Sequence, residues 1–331
     1  MTAVMNPHRE SGPRSRAGAA GALVASGHGN STAHRSVLAV PVPAAPPPPT
    51  RAGVVLALVA FAAAGSSPLL ADIIPPLRDA LASDDLVPVL SARTVLSLIP
   101  LVFYLLFTAV LTRCADHRPL RAAGLTLNRR AASALLAGTG LAVLITVCLA
   151  VVFYALGIGG APGLRRPDLT AGGAPVWLVL VFILSRCYVL QGTGEEALMR
   201  GYLLQSLSDR PGRAVWISTL AFTSLHLISQ GGQQNVADHV FYLATPFGFA
   251  LTAAYLSLVM RSVWAGVGIH GGLHLGNAIV QMVGLEASGP IVWIVTGVVF
   301  SGVGLVIASR ISKQRWAEIA AHGPYSPPID R

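Results

Sequence analysis

The sequence predicts an all-α, polytopic membrane protein of about eight transmembrane helices, preceded by a disordered, Pro-rich N-terminal tail. Three observations carry that prediction. Of 331 residues, 53% are hydrophobic and only 11% charged, where a soluble domain carries about 25% charge. The apolar residues gather in successive stretches near the ~20 residues that cross a bilayer, split by short polar loops. No stretch alternates with period two, as the strands of a spanning barrel would.

Residues 1–50 stand apart. Arg9, Arg14, Arg16 and Arg35 are scattered among Ser, Gly and His, and the segment ends in a run from Pro41 to Pro49. It holds too little apolar surface to offset its ordering entropy, which predicts a disordered tail. It also lacks the apolar core that follows the first charges of a cleaved signal peptide. From Arg51 onward, spans are expected at 53–74, 89–112, 132–157, 175–207, 213–229, 239–260, 262–283 and 289–309. The fourth is too long for one straight crossing at ~1.5 Å per residue. It must tilt, protrude or break, and Gly192-Thr193-Gly194 is the expected break. The organisation that follows is a tail (1–50), N-terminal helices (51–174), a helical core (175–283), and a final span with a basic C-terminus (284–331).

The net charge of +9 and pI near 10.2 raise nucleic acid as a ligand, and the positions of the basic residues remove it. With the N-terminus inside, the cytoplasmic segments hold 17 of the 23 basic residues, among them Arg51, Arg113, Arg118, Arg121, Arg129, Arg130, Arg210, Arg213, Arg261, Arg310, Lys313 and Arg315. The outer side holds Arg78, Arg93, Arg165 and Arg166 beside Asp79, Asp84, Asp85 and Asp168. This asymmetry follows the positive-inside rule and places both termini in the cytoplasm of a multi-pass cell-membrane protein. Cys114, Cys148 and Cys187 are too few, and too apolar in context, for a disulfide framework.

Ionisable groups inside a bilayer cost several kcal/mol each and mark function by default. Here they gather in spans four, five and seven: Arg186, Glu195, Glu196, Arg200, His226, His270 and His274. Glu196 and Arg200 are four apart with the acid first, the favourable order for an ion pair. Thr193-x-x-Glu196 also reads as a capping box after a break at the glycines. Glu195 is rotated by ~100° from Glu196 and cannot share Arg200. It is therefore expected to face another helix as a general base. Phe222 and His226 lie one turn apart on one face, and His226 counts to a depth similar to that of Glu195. His270, His274 and Asn277 share a face of span seven, while Gly268, Gly272 and Gly276 form a ridge that admits a close neighbour. Two His at i, i+4 also suit zinc.

Glu195-Glu196-x-x-x-Arg200, Phe222-x-x-x-His226, and Ser262-Val263-Trp264 leading to His270 together resemble the ordered motifs of the CPBP intramembrane protease family. That family includes the CAAX prenyl endopeptidases and the bacterial Abi and bacteriocin-processing proteins. The resemblance covers about 175–283. It implies that Glu195 is a water-activating glutamate with His226 as partner and that His270 helps to stabilise an oxyanion; from their spacing, Arg200, Glu196, Phe222 and Asn277 are expected to support them. The family's usual Asn four positions after that histidine is His274 here. A neutral His can donate to an oxyanion. Glu195, His226, His270 and His274 also make a zinc donor set, so the glutamate and metalloprotease readings both stand. The expected partners are the bilayer and a membrane-associated peptide or protein substrate, met at a site open to the cytosolic half. A non-catalytic scaffold or immunity-type protein of the same fold, and a transporter with broken helices, are the alternatives.

Overall fold

The computed structural model describes residues 50–164, 173–229 and 231–327. Residues 1–49 of the expected tail, and Arg165, Arg166 and Asp168 of the expected outer loop, lie outside them. Among the described residues every regular element is helical. Four long apolar helices come first: α1 (Arg51–Ile73), α2 (Leu86–Ala115), α3 (Arg129–Ala155) and α4 (Val176–Leu204). They are followed by α5 (Pro211–Leu225), α6 (Val236–Met260), α7 (Val263–Met282), α8 (Pro290–Ser309) and a short polar α9 (Lys313–His322).

Caps fix several starts. Asp85 and Asn128 accept from backbone N–H groups of the first turns of α2 and α3, and Ser262 accepts from Trp264 N–H at the start of α7. A capping side chain satisfies one of the four N–H groups that a helix start leaves unpaired.

Each of the eight expected apolar stretches is helical, but among the described residues six helices are long and apolar enough to cross a membrane: α1, α2, α3, α4, α6 and α8. The shortfall of the other two has a local cause. The α-helical part of α5 is 15 residues long, below the ~20 that a straight crossing needs. The other, α7, has 20 residues, but His270, His274, Asn277, Gln281 and its glycines dilute its hydropathy. It can be so polar because it is enclosed by protein: it packs along α3 and against α4 and α6. Its glycine ridge is what brings α3 close. A Cβ on Gly268 would lie 2.3 Å from the Leu135 carbonyl oxygen, and one on Gly138 of α3 would lie 2.4 Å from that of Ala265.

The outer faces of the long helices leave Val55, Val59, Leu106, Leu136, Leu144, Val298 and Val306 exposed. Apolar exposure on this scale marks a surface that meets something other than water. With six helices of spanning length, it makes this a multi-pass membrane protein. The core between the helices is built from Leu198, Met199, Tyr202, Leu203, Phe222, Leu251, Leu258 and Ile269.

The expected break at Gly192-Thr193-Gly194 is absent: α4 runs through it. The helix widens instead, with π-helical turns over Ser185–Thr193 and Ala197–Leu204 on either side of an α-helical turn, Gly194–Glu196. Thr193 has helical backbone angles and makes no capping bond, so the capping-box reading falls. Both glycines serve close packing. A Cβ on Gly194 would lie 2.6 Å from the Tyr104 ring, and one on Gly192 would lie 3.3 Å from the Val267 carbonyl oxygen.

Candidate active site

Four helices deliver the site, and α4 contributes its charges. Glu196 is fully buried, and its Oε1 accepts from Arg200 Nη1 at 2.9 Å and faces His270 Nδ1 at 3.2 Å. Arg200, also fully buried, spends its second nitrogen on the Ala250 carbonyl of α6 at 2.9 Å. Its guanidinium lies over the Phe222 ring, 4.9 Å from the centroid. The expected Glu196–Arg200 pair is therefore present, one helical turn apart as the i, i+4 spacing dictates.

Phe222 is the hub of the site. Its ring stacks at 4.5 Å on His226, meets His270 edge-on at 5.5 Å and meets Phe249 of α6 at 5.4 Å. Phe249 lies 4.8 Å from His270, and His270 lies 5.2 Å from His274. The three histidines thus line one aromatic-walled region, as the i, i+4 spacings on α5 and α7 predict. His226 is not in mid-helix. It follows the last residue of α5 and opens a 3-10 turn, His226–Ile228.

Two tautomers follow from these contacts. A carbonyl only accepts, so His226 donates Nδ1–H to the Phe222 carbonyl at 2.9 Å, leaving Nε2 as an acceptor in the neutral ring. His270 donates Nδ1–H to Glu196, so its Nε2 is likewise an acceptor unless the ring carries a second proton.

Glu195 differs from its neighbour in every respect. It is half-buried, and its Oε2 is enclosed without a hydrogen-bond partner. Among the described residues no hydrogen bond joins it to His226. Arg186, earlier on α4, is exposed, and Asn277 is exposed with no contact that ties it to the histidines.

Among the described residues no three His, Cys, Asp or Glu side chains are placed to hold a metal ion together, so Glu195, His226, His270 and His274 do not fit a zinc site as they stand.

Sequence reasoning missed the residues that other helices bring in. Phe249 and the Ala250 carbonyl wall the site from α6. On α4 itself, Tyr188 bonds Thr139 of α3 at 3.0 Å and packs on Gly271 of α7. Nothing in their local spacing separates them from ordinary apolar helix residues. No curated protein and no solved structure matches the chain. Residues 175–279 match the family model Rce1-like, described as type II CAAX prenyl endopeptidase Rce1-like, and the helical core that holds Glu195, His226, His270 and His274 is similar to that family.

Proposed function

We propose that the protein is an intramembrane endopeptidase that hydrolyses a peptide bond of a membrane-associated substrate with a water activated by Glu195. The observation that supports this best is the division of labour between two adjacent carboxylates. Glu196 is committed to Arg200 and His270, while Glu195 is uncommitted and half-buried beside them. Idle carboxylates in such a setting are expensive.

In this reading the water donates one hydrogen to Glu195 and the other to Nε2 of His226. Glu195 removes the first proton as the oxygen attacks the scissile carbonyl carbon. The carbonyl π electrons move to oxygen, and an N–H of His274 receives the resulting oxyanion. Among the described residues His274 makes no hydrogen bond at either nitrogen and donates as a neutral ring, so His in the usual Asn position keeps a donor there. His270, whose Nδ1–H is held by Glu196, packs 5.2 Å from the His274 ring and positions it. When the tetrahedral intermediate collapses, the proton held on Glu195 passes to the leaving amine.

The site opens to the cytosolic half. His270 is seven residues, about 10 Å, into α7 from its Arg261 end, and the basic residues at such ends support a cytoplasmic side for them and for both chain termini. The test is cleavage of a farnesylated CAAX peptide by the full-length protein in lipid nanodiscs. Glu195→Gln lowers kcat by about 10²- to 10⁴-fold without unfolding the chain. Undiminished cleavage by that variant would sink the mechanism. A wild type that cleaves neither this peptide nor its unprenylated form would favour the non-catalytic scaffold.

A further inference from the structure

The C-terminal segment lies outside the stretch that matches the family model, yet it reaches the site's framework. At the junction of α6 and α7, Arg261 grips Glu318 of α9 with two nitrogens, the second at 2.7 Å, and donates to the Ser326 carbonyl at 3.0 Å. Arg315 of α9 donates to the carbonyls of Leu258 at 3.0 Å and Pro324. These bonds turn residues 323–327 inward. Tyr325 then places its hydroxyl 2.9 Å from the carbonyl oxygen of Arg200, to which it donates. Its ring lies on Gly124, where φ is +70° and a Cβ would lie 2.5 Å from the ring. Only glycine suits that backbone and that contact.

The carbonyl that Tyr325 bonds belongs to the π-helical segment Ala197–Leu204. Such widened turns are less regular than an α-helix and are frequent at functional sites. The residue is also the one whose side chain holds Glu196 and Ala250. We propose that Tyr325 is a positioning residue: its hydroxyl holds the widened turn at Arg200, and through it the Glu196–His270 pair, so that the C-terminal tail sets the geometry of the site. The consequence for cleavage rests on the endopeptidase reading; the hold on the turn does not.

The experiment uses the full-length protein in lipid nanodiscs, as wild type, Tyr325→Phe and Tyr325→Ala. Hydrogen–deuterium exchange needs no substrate. Tyr325→Phe keeps the ring, and with it the fold, and raises exchange over 197–204 about fivefold, the effect of one lost hydrogen bond; α3 and α8 stay unchanged. Tyr325→Ala raises it further. With the farnesylated CAAX peptide, kcat of Tyr325→Phe falls about three- to tenfold at unchanged KM, because the tail touches no substrate-facing group. Unchanged exchange over 197–204 in both variants, with faster exchange only in 313–327, overturns the proposal, since Tyr325 would then merely fasten the tail. Faster exchange over 197–204 with unchanged kcat overturns it as well. A wild type that leaves the peptide intact counts against the protease reading, and the exchange result still decides the hold.

Discussion

Replacing Arg200 with Met tests the electrostatic core of the site. Both members of the Glu196–Arg200 pair are 0% exposed, so no solvent screens the charge that is left behind. Methionine fills most of the vacated volume, and the cavity contribution is small. What remains is a buried Glu196 carboxylate without its cation; the Ala250 carbonyl loses the Arg200 bond but sits inside a regular helix and keeps its backbone donor. Breaking a buried pair from one side costs about 3–5 kcal/mol, and about 4 kcal/mol is expected. At about 2 °C per kcal/mol, the value for large domains, Tm falls by about 8 °C. The readout is intrinsic tryptophan fluorescence of the nanodisc-embedded protein. The double variant Glu196→Gln/Arg200→Met removes both charges and keeps an amide oxygen to accept from His270 Nδ1–H. It recovers more than half of the loss, because a neutral pair leaves no buried charge uncompensated. A single variant within about 2 °C of wild type would refute this reasoning, and so would a double variant whose loss is the sum of the two single losses.

Two further outcomes follow from the packing and from the C-terminal clamp. Gly268→Val puts a branched side chain where even a Cβ would lie 2.3 Å from the Leu135 carbonyl; α3 and α7 must part, at about 1–3 kcal/mol. Gly140→Ala on α3, which meets nothing within 4 Å, raises Tm slightly, as a helix-interior Gly→Ala exchange does, and serves as the control. Glu318, hydrogen-bonded by Arg261 and close to Arg315, has its carboxyl held below the usual carboxylate range. A depressed carboxylate contributes stability above its unfolded value of about 4.3, and that contribution is lost as pH falls through the folded value. Protection of 313–327 against exchange therefore declines below about pH 4 in wild type, and Glu318→Gln, already lacking the clamp at pH 7, shows no such step.

How much of this was legible follows from where the information sits. A helix that faces lipid must be apolar along its whole length, so composition alone located α1, α2, α3, α4, α6 and α8 to within a few residues. The helices α5 and α7 were legible as helices, but not as the ones that fall short of spanning, because enclosure by α3, α4 and α6 is a tertiary fact. The charged residues were legible for the opposite reason: Glu195, Glu196, Arg200 and His270 are conspicuous wherever the surroundings are apolar. Their partners were not. That His270 meets Glu196 rather than Glu195 depends on the register between α4 and α7, which no local spacing encodes. The glycines misled because a glycine that ends a helix and one that lets a neighbour approach look alike in sequence. At Gly192 and Gly194 the neighbours are Val267 and Tyr104, and α4 continues through both as widened turns. That widening bears on the site itself. Both carboxylates sit in the short α-helical turn Gly194–Glu196, between two π-helical segments. The ~100° step between successive residues there turns Glu196 toward Arg200 and His270 and leaves Glu195 free of both.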